Sequence, residues 1–503
     1  MWVAYHTHRS ITTLHGVYRL TLHVRRCRNH QCERYHCPYR PEEEGGWALP
    51  HGEFGLDVIA LVGTLRYTTH RSIPEIHQAL CDRGVQIAER TVTHLLQRYE
   101  ELIALNLSEK PRLRDCFKEQ GQVILALDGL PPDVSHEVLW VLRDCLSGEI
   151  LLARSLLSAC EADLANLLSE VQQALDVSIR GVISDGQHSI RKAVQKVLPD
   201  VPHQLCHFHY LREAAKPVYE ADRHAKKELK KHIRGVHPIE RAVEKRNDAE
   251  AEAIRGYCLA VRSALTDDGR PPLEAPGLKL YKRLSAIVAS LTRVSEKGGL
   301  PRELERMQLF LMKGLTRTTA LWSDVKLGYA WVHRAAHILS NEEKRSTAQV
   351  RHDYEQLLAE MEQAPSSFET LITMLSTFRK VTISYWPGLF HCYDLPDLPR
   401  TNNELVQYFG SARYHERRAT GRKQASPGLV VRGAVRVVAS VASRLHPFSG
   451  PELCPTDLTR WRTLRSELNH RHETRRMQYR FRQSSERYLA TLEEKLIKER
   501  LPT

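Results

Sequence analysis

The chain has 503 residues, which is too long for one domain and predicts about three or four. It carries 73 Lys and Arg against 60 Asp and Glu, a formal net charge of +13, and 42% of its residues are hydrophobic. This composition excludes a disordered chain, and no apolar run approaches the roughly 18 residues of a membrane span. The eleven Cys are an odd number and the first residues lack a signal-peptide pattern. We therefore expect a reduced, cytoplasmic protein whose basic surplus suits a polyanionic partner.

Residues 1–50 combine a strand pattern with a cluster of Cys and His. Residues 16–26 alternate apolar and polar side chains, which predicts a strand or one arm of a hairpin. Zinc binds four Cys or His ligands in a tetrahedron, so the cluster predicts structural Zn²⁺ in a zinc-ribbon-like segment. The favoured ligands are Cys27, Cys32, His6 and His8. A second set replaces the two histidines with His36 and Cys37, and free thiols in a basic loop are the alternative to both.

Residues 51–115 change to helical periodicity and predict a helix-turn-helix domain. Ser72 and Glu75 form a capping box that starts one helix, Gly84 lies in the following turn, and a longer helix begins near Ala88. The second helix of such a pair enters the major groove of DNA. Its candidate contact residues are Arg90, Thr91, His94 and Gln97. A plain helical hairpin is the alternative interpretation.

Residues 121–215 predict a small α/β sheet with the order β-β-β-α-β-α-β. Short apolar runs separated by turns and amphipathic segments mark the elements. The predicted strands are Val123–Leu127, Val138–Leu142, Ile150–Leu157, Ile179–Ile183 and His203–Leu205, and the predicted helices are Asp163–Leu175 and Ser189–Leu198.

An aspartate ends the first and the fourth of these strands. Asp128 and Asp185 each precede a glycine, and if the two strands are neighbours both carboxylates project from the same edge of the sheet. Hard cations such as Mg²⁺ are held by carboxylates, and two such ions act on phosphodiesters in many enzymes. The alternative to a metal site is that each Asp-Gly pair only forms a turn after its strand. Cys206 and His209 follow the fifth strand, and their spacing suits a metal, a mutual contact or a structural role.

The order of these features, followed by Arg400-Thr401-Asn402-Asn403, resembles the DDE transposases of bacterial insertion sequences, in the Mutator-like and related groups. The resemblance covers most of the chain. It implies a multidomain, mixed α/β protein whose ribonuclease-H-like core is split by a large all-α insertion. It also implies that Asp128 and Asp185 are the first two metal-binding carboxylates, for two Mg²⁺ or Mn²⁺ ions, and that Cys206 and His209 are the accompanying Cys/His pair.

The implied activity is cleavage at transposon ends and strand transfer into new DNA. The implied partner is double-stranded DNA, as transposon inverted repeats and as target, with no membrane involved. Synapsis of two ends favours a homo-oligomer on DNA, and the protein would be associated with the nucleoid when bound. A zinc-dependent transcription regulator is a further hypothesis, but it leaves Asp128 and Asp185 without a role.

The third carboxylate departs from the family pattern, which has Thr-Asn-Asn-x-Leu-Glu-Gln at this position. The residue where the Glu is expected is Val406, and the nearest acid is Glu404. Two helical residues lie about 200° apart, so Glu404 replaces that Glu only with a shift in helix start or register. We take Glu404 as the third ligand. The alternative is a catalytically decayed or repurposed transposase-derived DNA-binding protein, with Val406 as its signature.

The remaining segments complete the domain organisation. Residues 216–395 form the helical insertion, in which Arg302–Gly314 and Leu321–Leu339 are predicted as separate helices, residues 396–445 close the core, and residues 446–503 form a basic helical tail. A basic cluster follows the Asn-Asn segment, and Arg forks of this kind bind phosphates. Its candidate DNA contacts are Arg413, Arg417, Arg418, Arg422 and Lys423.

Overall fold

A computed structural model gives the structure, and it describes most of the chain. The described residues are 1–130, 137–157, 159–233, 235–266, 268–363, 369–403, 407, 409–410, 414, 417–418, 421 and 427–500. Five residues of the sequence predictions lie outside them: Glu404, Val406, Arg413, Arg422 and Lys423. The chain divides into two compact units. The first comprises Met1–Val182, His188–Val201 and Asn403–Thr503, and the second comprises Ile183–Gln187 and Pro202–Asn402.

A long antiparallel hairpin begins the first unit. Strand β1 (Trp2–Thr13) pairs with β2 (Gly16–Arg26) along almost its whole length, with Trp2 opposite Arg26 at the open end. The alternation predicted for residues 16–26 is confirmed, because Leu22 and Val24 are buried while their neighbours Thr21 and His23 are exposed. The period of two places one face of the hairpin on the protein and leaves the other to solvent.

Five helices follow the hairpin. They are α1 (Glu43–Trp47), α2 (Leu56–Tyr67), α3 (Ile73–Cys81), α4 (Glu89–Leu107) and α5 (Lys110–Gln120). The predicted capping box starts α3, where the Ser72 hydroxyl accepts from the Glu75 amide and the Glu75 carboxylate accepts from the Ser72 amide at 2.7 Å. Helices α2 and α4 approach closely because Gly63 has no side chain, and a Cβ there would lie 2.2 Å from the Tyr99 ring.

The mixed sheet follows the predicted element order. Its elements are β3 (Gln122–Leu130), β4 (Val138–Asp144), β5 (Ile150–Leu156), α6 (Glu161–Ala174), β6 (Ser178–Ser184), α7 (His188–Val197) and β7 (His203–Leu205). The strand order is β5-β4-β3-β6-β7, so the first and fourth strands of the sheet are neighbours. Strand β6 passes from the first unit into the second after Val182.

The prediction that β3 ends at Asp128 is wrong by two residues. Gly129 lies opposite Trp140 and Leu130 opposite Leu139, so both continue the antiparallel ladder with β4. Cross-strand pairing outweighs the turn tendency of the Asp-Gly dipeptide, because a neighbouring strand satisfies the backbone groups. Asp128 therefore lies inside β3 and is buried.

The second unit is mainly helical beyond β7. Its helices are α8 (His207–Ala214), α9 (Lys216–His232), α10 (Val236–Ala242), α11 (Ala249–Thr266), α12 (Pro276–Gly298), α13 (Arg302–Ser340), α14 (Thr347–Gln363), α15 (Glu369–Tyr385) and α16 (His391–Asp394). The two helices predicted within residues 302–339 are one, α13. Thr318, in the predicted gap, is buried inside this helix, and its hydroxyl donates to the Gly314 carbonyl at 2.9 Å.

Three C-terminal helices return to the first unit: α17 (Pro427–Leu445), α18 (Leu458–Gln483) and α19 (Ser485–Arg500). Arg432 on α17 binds two fully buried carboxylates of α4, with 2.8 Å from Nε to Glu100 and 3.1 Å from Nη1 to Glu101. Arg436 Nε lies 3.0 Å from Glu100, and the Trp461 indole donates to Glu101 at 3.2 Å. This buried charge cluster joins α4 to the C-terminal helices.

No helix among the described residues is both long enough and apolar enough to cross a membrane.

Candidate functional site

The site in the second unit begins with the turn after β6. Asp185 is half-buried, and its Oδ1 accepts from the Gln187 amide at 2.9 Å, so the carboxylate closes its own turn. The next residue, Gly186, has φ +85°, a left-handed conformation that side chains with a Cβ rarely adopt. The glycine after the strand is therefore a backbone requirement of the turn that carries Asp185.

Cys206 is a structural anchor beside this turn. It is fully buried, its amide donates to the Ser184 carbonyl at 2.9 Å, and its sulfur accepts from the Asn402 amide at 3.3 Å. Through its amide and its sulfur, Cys206 thus connects the end of β6 with the Asn-Asn segment of the sequence motif. These contacts assign Cys206 to the framework of the turn, within the second unit.

His209 lies on α8, one turn after Cys206, and faces the same region. It is 9% exposed, and its Nδ1 has no hydrogen-bond partner among the described residues. Burial lowers the pKa of His209 and Arg212 adds to the lowering, while the Asp185 carboxylate opposes it. A neutral imidazole with an unpartnered nitrogen therefore lies within electrostatic range of Asp185.

A supporting layer lies behind this pair. The His207 Nε2 donates to the Leu389 carbonyl at 2.7 Å, and burial lowers the pKa of His207 to about 4. The side-chain oxygen of Gln204 accepts from the Cys392 amide at 2.9 Å. Because these bonds fix residues 389–392 against β7 and α8, they hold Cys206 and His209 in place.

Of the other two acids predicted to bind the metal, Asp128 and Glu404, the structure describes only Asp128. Asp128 lies in the first unit, inside β3 and opposite Val141, where its Oδ1 accepts from the Gly129 amide at 2.8 Å. Glu404 lies outside the described residues. Among the residues that are described, no group of three or more His, Cys, Asp and Glu is placed to hold a metal ion.

The structure separates the members of the favoured zinc set. His6 lies opposite His23 in the hairpin, and the His8 ring is 3.1 Å from the Thr21 hydroxyl. Cys27 follows β2 four residues after His23, and at about 3.3 Å per residue this is roughly 13 Å along the strand. Zinc–nitrogen and zinc–sulfur bonds are only about 2.0–2.3 Å, so His6 and Cys27 do not share an ion in this arrangement.

The second zinc set lies in one compact loop. The His36 amide donates to the Cys27 carbonyl at 3.4 Å, and the Tyr35 amide donates to the Cys32 carbonyl at 2.8 Å. The thiols of Cys27, Cys32 and Cys37 are all free. A zinc ion at Cys27, Cys32, His36 and Cys37 stays a prediction.

The predicted DNA contacts on α4 lie on one face of that helix. Arg90 and His94 are exposed, and Thr91 and Gln97 are half-buried. The Gln97 carbonyl accepts from Arg432 at 2.7 Å, which fixes this end of the face. Of the second basic cluster, Arg417 and Arg418 are described, and both are exposed.

Sequence reasoning did not identify four residues that shape the site. Gln204 and His207 are buried polar residues in a short apolar stretch, which is a weak signal in the sequence. Asn402 was part of the quoted motif, but its contact with Cys206 was not predicted. Tyr385, which donates to the Asp185 carbonyl from 200 residues away, has no local signal.

The fold is that of a multidomain, mixed α/β protein, predominantly helical, with a five-stranded sheet and a two-stranded hairpin, and it is consistent with a transposase. Residues 165–269 match the family described as Transposase, Mutator family. The matched residues include Asp185, Cys206 and His209, and the match supports a Mutator-like transposase function. A search of curated proteins finds no match.

Proposed function

We propose that the chain is a DDE transposase of an insertion sequence, with a ribonuclease-H-like core that cleaves transposon ends and transfers them to target DNA. One observation carries the proposal: Asp128 lies in β3 and Asp185 follows β6, and these strands are neighbours in the sheet. The strand order β5-β4-β3-β6-β7 supports the core type. The family match, which includes Asp185, supports the activity.

The chemistry of the proposed ligands suits a divalent metal. Carboxylates are the ligands that Mg²⁺ and Mn²⁺ prefer, and the unpartnered Nδ1 of His209 is a further polar atom near Asp185. Asp128 and Asp185 would hold two such ions, with Glu404 as the third ligand. When bound, the ions supply activation of water or of a DNA 3′-hydroxyl and stabilise the leaving oxygen.

The chain itself orients these groups. The Gln187 amide donates to one carboxylate oxygen of Asp185. Cys206 bonds both to Ser184, the last residue of β6, and to Asn402. Because its pKa is lowered, His209 is neutral at pH 7 and adds no positive charge beside the carboxylate. Preorganised groups of this kind contribute to catalysis because they need no rearrangement during the reaction.

DNA binding rests on basic surfaces of the first unit. We propose that α3 and α4 form a helix-turn-helix whose exposed Arg90 and His94, with Thr91 and Gln97, contact the inverted repeats. Arg417 and Arg418, with their neighbours Arg413, Arg422 and Lys423, would grip phosphates next to the core. Two transposon ends held together would require a homo-oligomer on DNA.

A second candidate function follows from Val406 at the position where the family pattern has Glu. A decayed or repurposed copy would retain DNA binding without cleavage. The loss of one carboxylate removes ligands from a hard-cation site and leaves the basic residues of the proposed DNA contacts in place.

Cleavage of DNA that carries the element's ends, with Mg²⁺ or Mn²⁺, tests the proposal. Asp128→Ala and Asp185→Ala should each lower cleavage by about 100-fold or more, because metal catalysis supplies several kcal/mol. Asp200→Ala, an exposed acid of the first unit, is the matched control and should leave the rate unchanged. Full activity in both Asp variants would refute the metal-site assignment. An inactive protein that gains cleavage with Val406→Glu would establish the decayed copy.

A further inference from the structure

The last residue of α15, Tyr385, covers the turn that carries Asp185. Its hydroxyl donates to the main-chain carbonyl of Asp185 at 2.9 Å, and its side chain is 3% exposed. A Cβ built on Gly186 would lie 2.7 Å from a carbon of the Tyr385 ring. The insertion helix therefore contacts both residues of the Asp-Gly pair.

The Tyr385 ring is itself held by a buried aromatic group. The ring of Tyr210 lies 5.4 Å from it, and the Tyr210 hydroxyl bonds to the hydroxyls of Tyr354 at 2.6 Å and Thr382 at 2.7 Å. Tyr210 follows His209 on α8. The same helix thus carries the imidazole near Asp185 and the ring that holds Tyr385.

The turn needs such a contact because its own backbone is permissive. A glycine at φ +85° has no side chain to restrict the peptide between Asp185 and Gly186. That peptide is held by hydrogen bonds instead: its N–H donates to the Ser184 hydroxyl at 3.3 Å, and its carbonyl accepts from Tyr385. The direction of an aspartate side chain depends on the peptide planes on both sides of its Cα. A hydrogen bond to the Asp185 carbonyl therefore restricts where the carboxylate points.

We propose that Tyr385 is a positioning residue, which fixes the Asp185 carboxylate for a divalent cation. The inference rests on the proposed function, in which Asp185 is a metal ligand. Groups that orient metal ligands typically change metal affinity about 10–100-fold when they are removed. The helical insertion would then contribute to metal binding through a residue that touches neither the metal nor the DNA.

Mn²⁺ binding to the full-length, DNA-free protein, measured by electron paramagnetic resonance, tests the role of Tyr385. Tyr385→Phe removes only the hydroxyl and should weaken the Asp185-dependent binding about 10-fold. Tyr393→Phe is the matched control, because the Tyr393 hydroxyl donates to the Leu339 carbonyl at 2.7 Å in the same unit. It should leave Mn²⁺ affinity unchanged, while any loss of thermal stability should be similar in the two variants.

Gly186→Ala approaches the same contact from the other side. The added methyl meets the Tyr385 ring and strains a positive φ, so Mn²⁺ affinity should again fall. Asp185→Ala shows how much of the Mn²⁺ binding depends on the Asp185 carboxylate. If Asp185→Ala abolishes binding while Tyr385→Phe or Gly186→Ala binds like the unaltered protein, the positioning role is refuted and the proposed function stands. If Asp185→Ala itself binds Mn²⁺ normally, the metal assignment and the inference fail together.

Discussion

Two buried polar clusters, one in each unit, are built by opposite means. In the first unit, the cluster around Glu100 and Glu101 is charged and is neutralised by Arg432 and Arg436. In the second, the buried groups around Tyr210 and around His207 are uncharged: they are hydroxyls, an amide and an imidazole. The first arrangement depends on every partner being present, whereas the second depends on its groups staying neutral.

The two clusters therefore differ in their response to acid. Burial alone would raise the pKa of Glu100, but Arg436 and Arg432 outweigh it and the net pKa is lowered. Its contribution to stability is therefore complete above the unfolded pKa near 4.3 and is lost only below it. Burial lowers the pKa of His207 more than its bond to the Leu389 carbonyl raises it, so through these two groups mild acid should affect the second unit before the first.

Loss of Arg432 should have the largest effect. Arg432→Met keeps most of the side-chain volume but leaves two fully buried carboxylates with fewer partners, and breaking a buried pair costs about 3–5 kcal/mol. Urea unfolding at pH 7, with hydrogen exchange of α4 to locate the change, measures it. A loss below about 1 kcal/mol would show that the cluster is not a stability determinant.

The second-largest effect is expected for His207 of the second unit, as a loss of stability in acid. As the pH falls, an unfolded histidine takes up a proton near 6.5, but His207 in the fold does so only at about 4. Stability should fall between these values by about 3 kcal/mol. His207→Gln keeps a donor for the Leu389 carbonyl and should remove this pH dependence. The exposed His224→Gln is the control, and urea unfolding of both variants at pH 7 and at about pH 4.5 is the measurement. An unchanged pH profile in His207→Gln contradicts the assignment.

The smallest effect is expected for an exposed ion pair of the first unit. Arg154 and Glu170 form two short contacts, at 2.6 and 2.8 Å, but each side chain is nearly half exposed. A double-mutant cycle with Arg154→Ala and Glu170→Ala should give a coupling below about 1 kcal/mol. If this coupling were as large as the loss of stability in Arg432→Met, burial would not explain why a buried ion pair contributes more than an exposed one.

The sequence predicted most of what depends on local patterns. The capping box of α3, the hairpin strand at residues 16–26 and the element order β-β-β-α-β-α-β along residues 121–215 are confirmed. Period-two and period-3.6 patterns and capping residues act over a few positions, so they are visible without the fold.

Contacts between distant segments were not predictable in this way. Arg432 pairs with an acid 332 residues earlier, and Tyr385 bonds to Asp185 across 200 residues. Nothing in the local sequence of either residue indicates its partner. The strand end at Asp128 was wrong for the same reason, since cross-strand pairing decided the position of Gly129. The zinc ligands stay a prediction.

The distance between Glu100 and Arg432 also has a consequence during synthesis. A ribosome that adds about 5–20 residues per second needs roughly 20–60 s to reach the arginine after the glutamate has emerged. Throughout that time Glu100 and Glu101 on α4 lack Arg432 and Arg436, so the charge cluster that joins α4 to the C-terminal helices is incomplete. Residues 202–402 emerge within this interval and hold their own core. The middle of the chain is therefore able to fold first, and the ends close the first unit last.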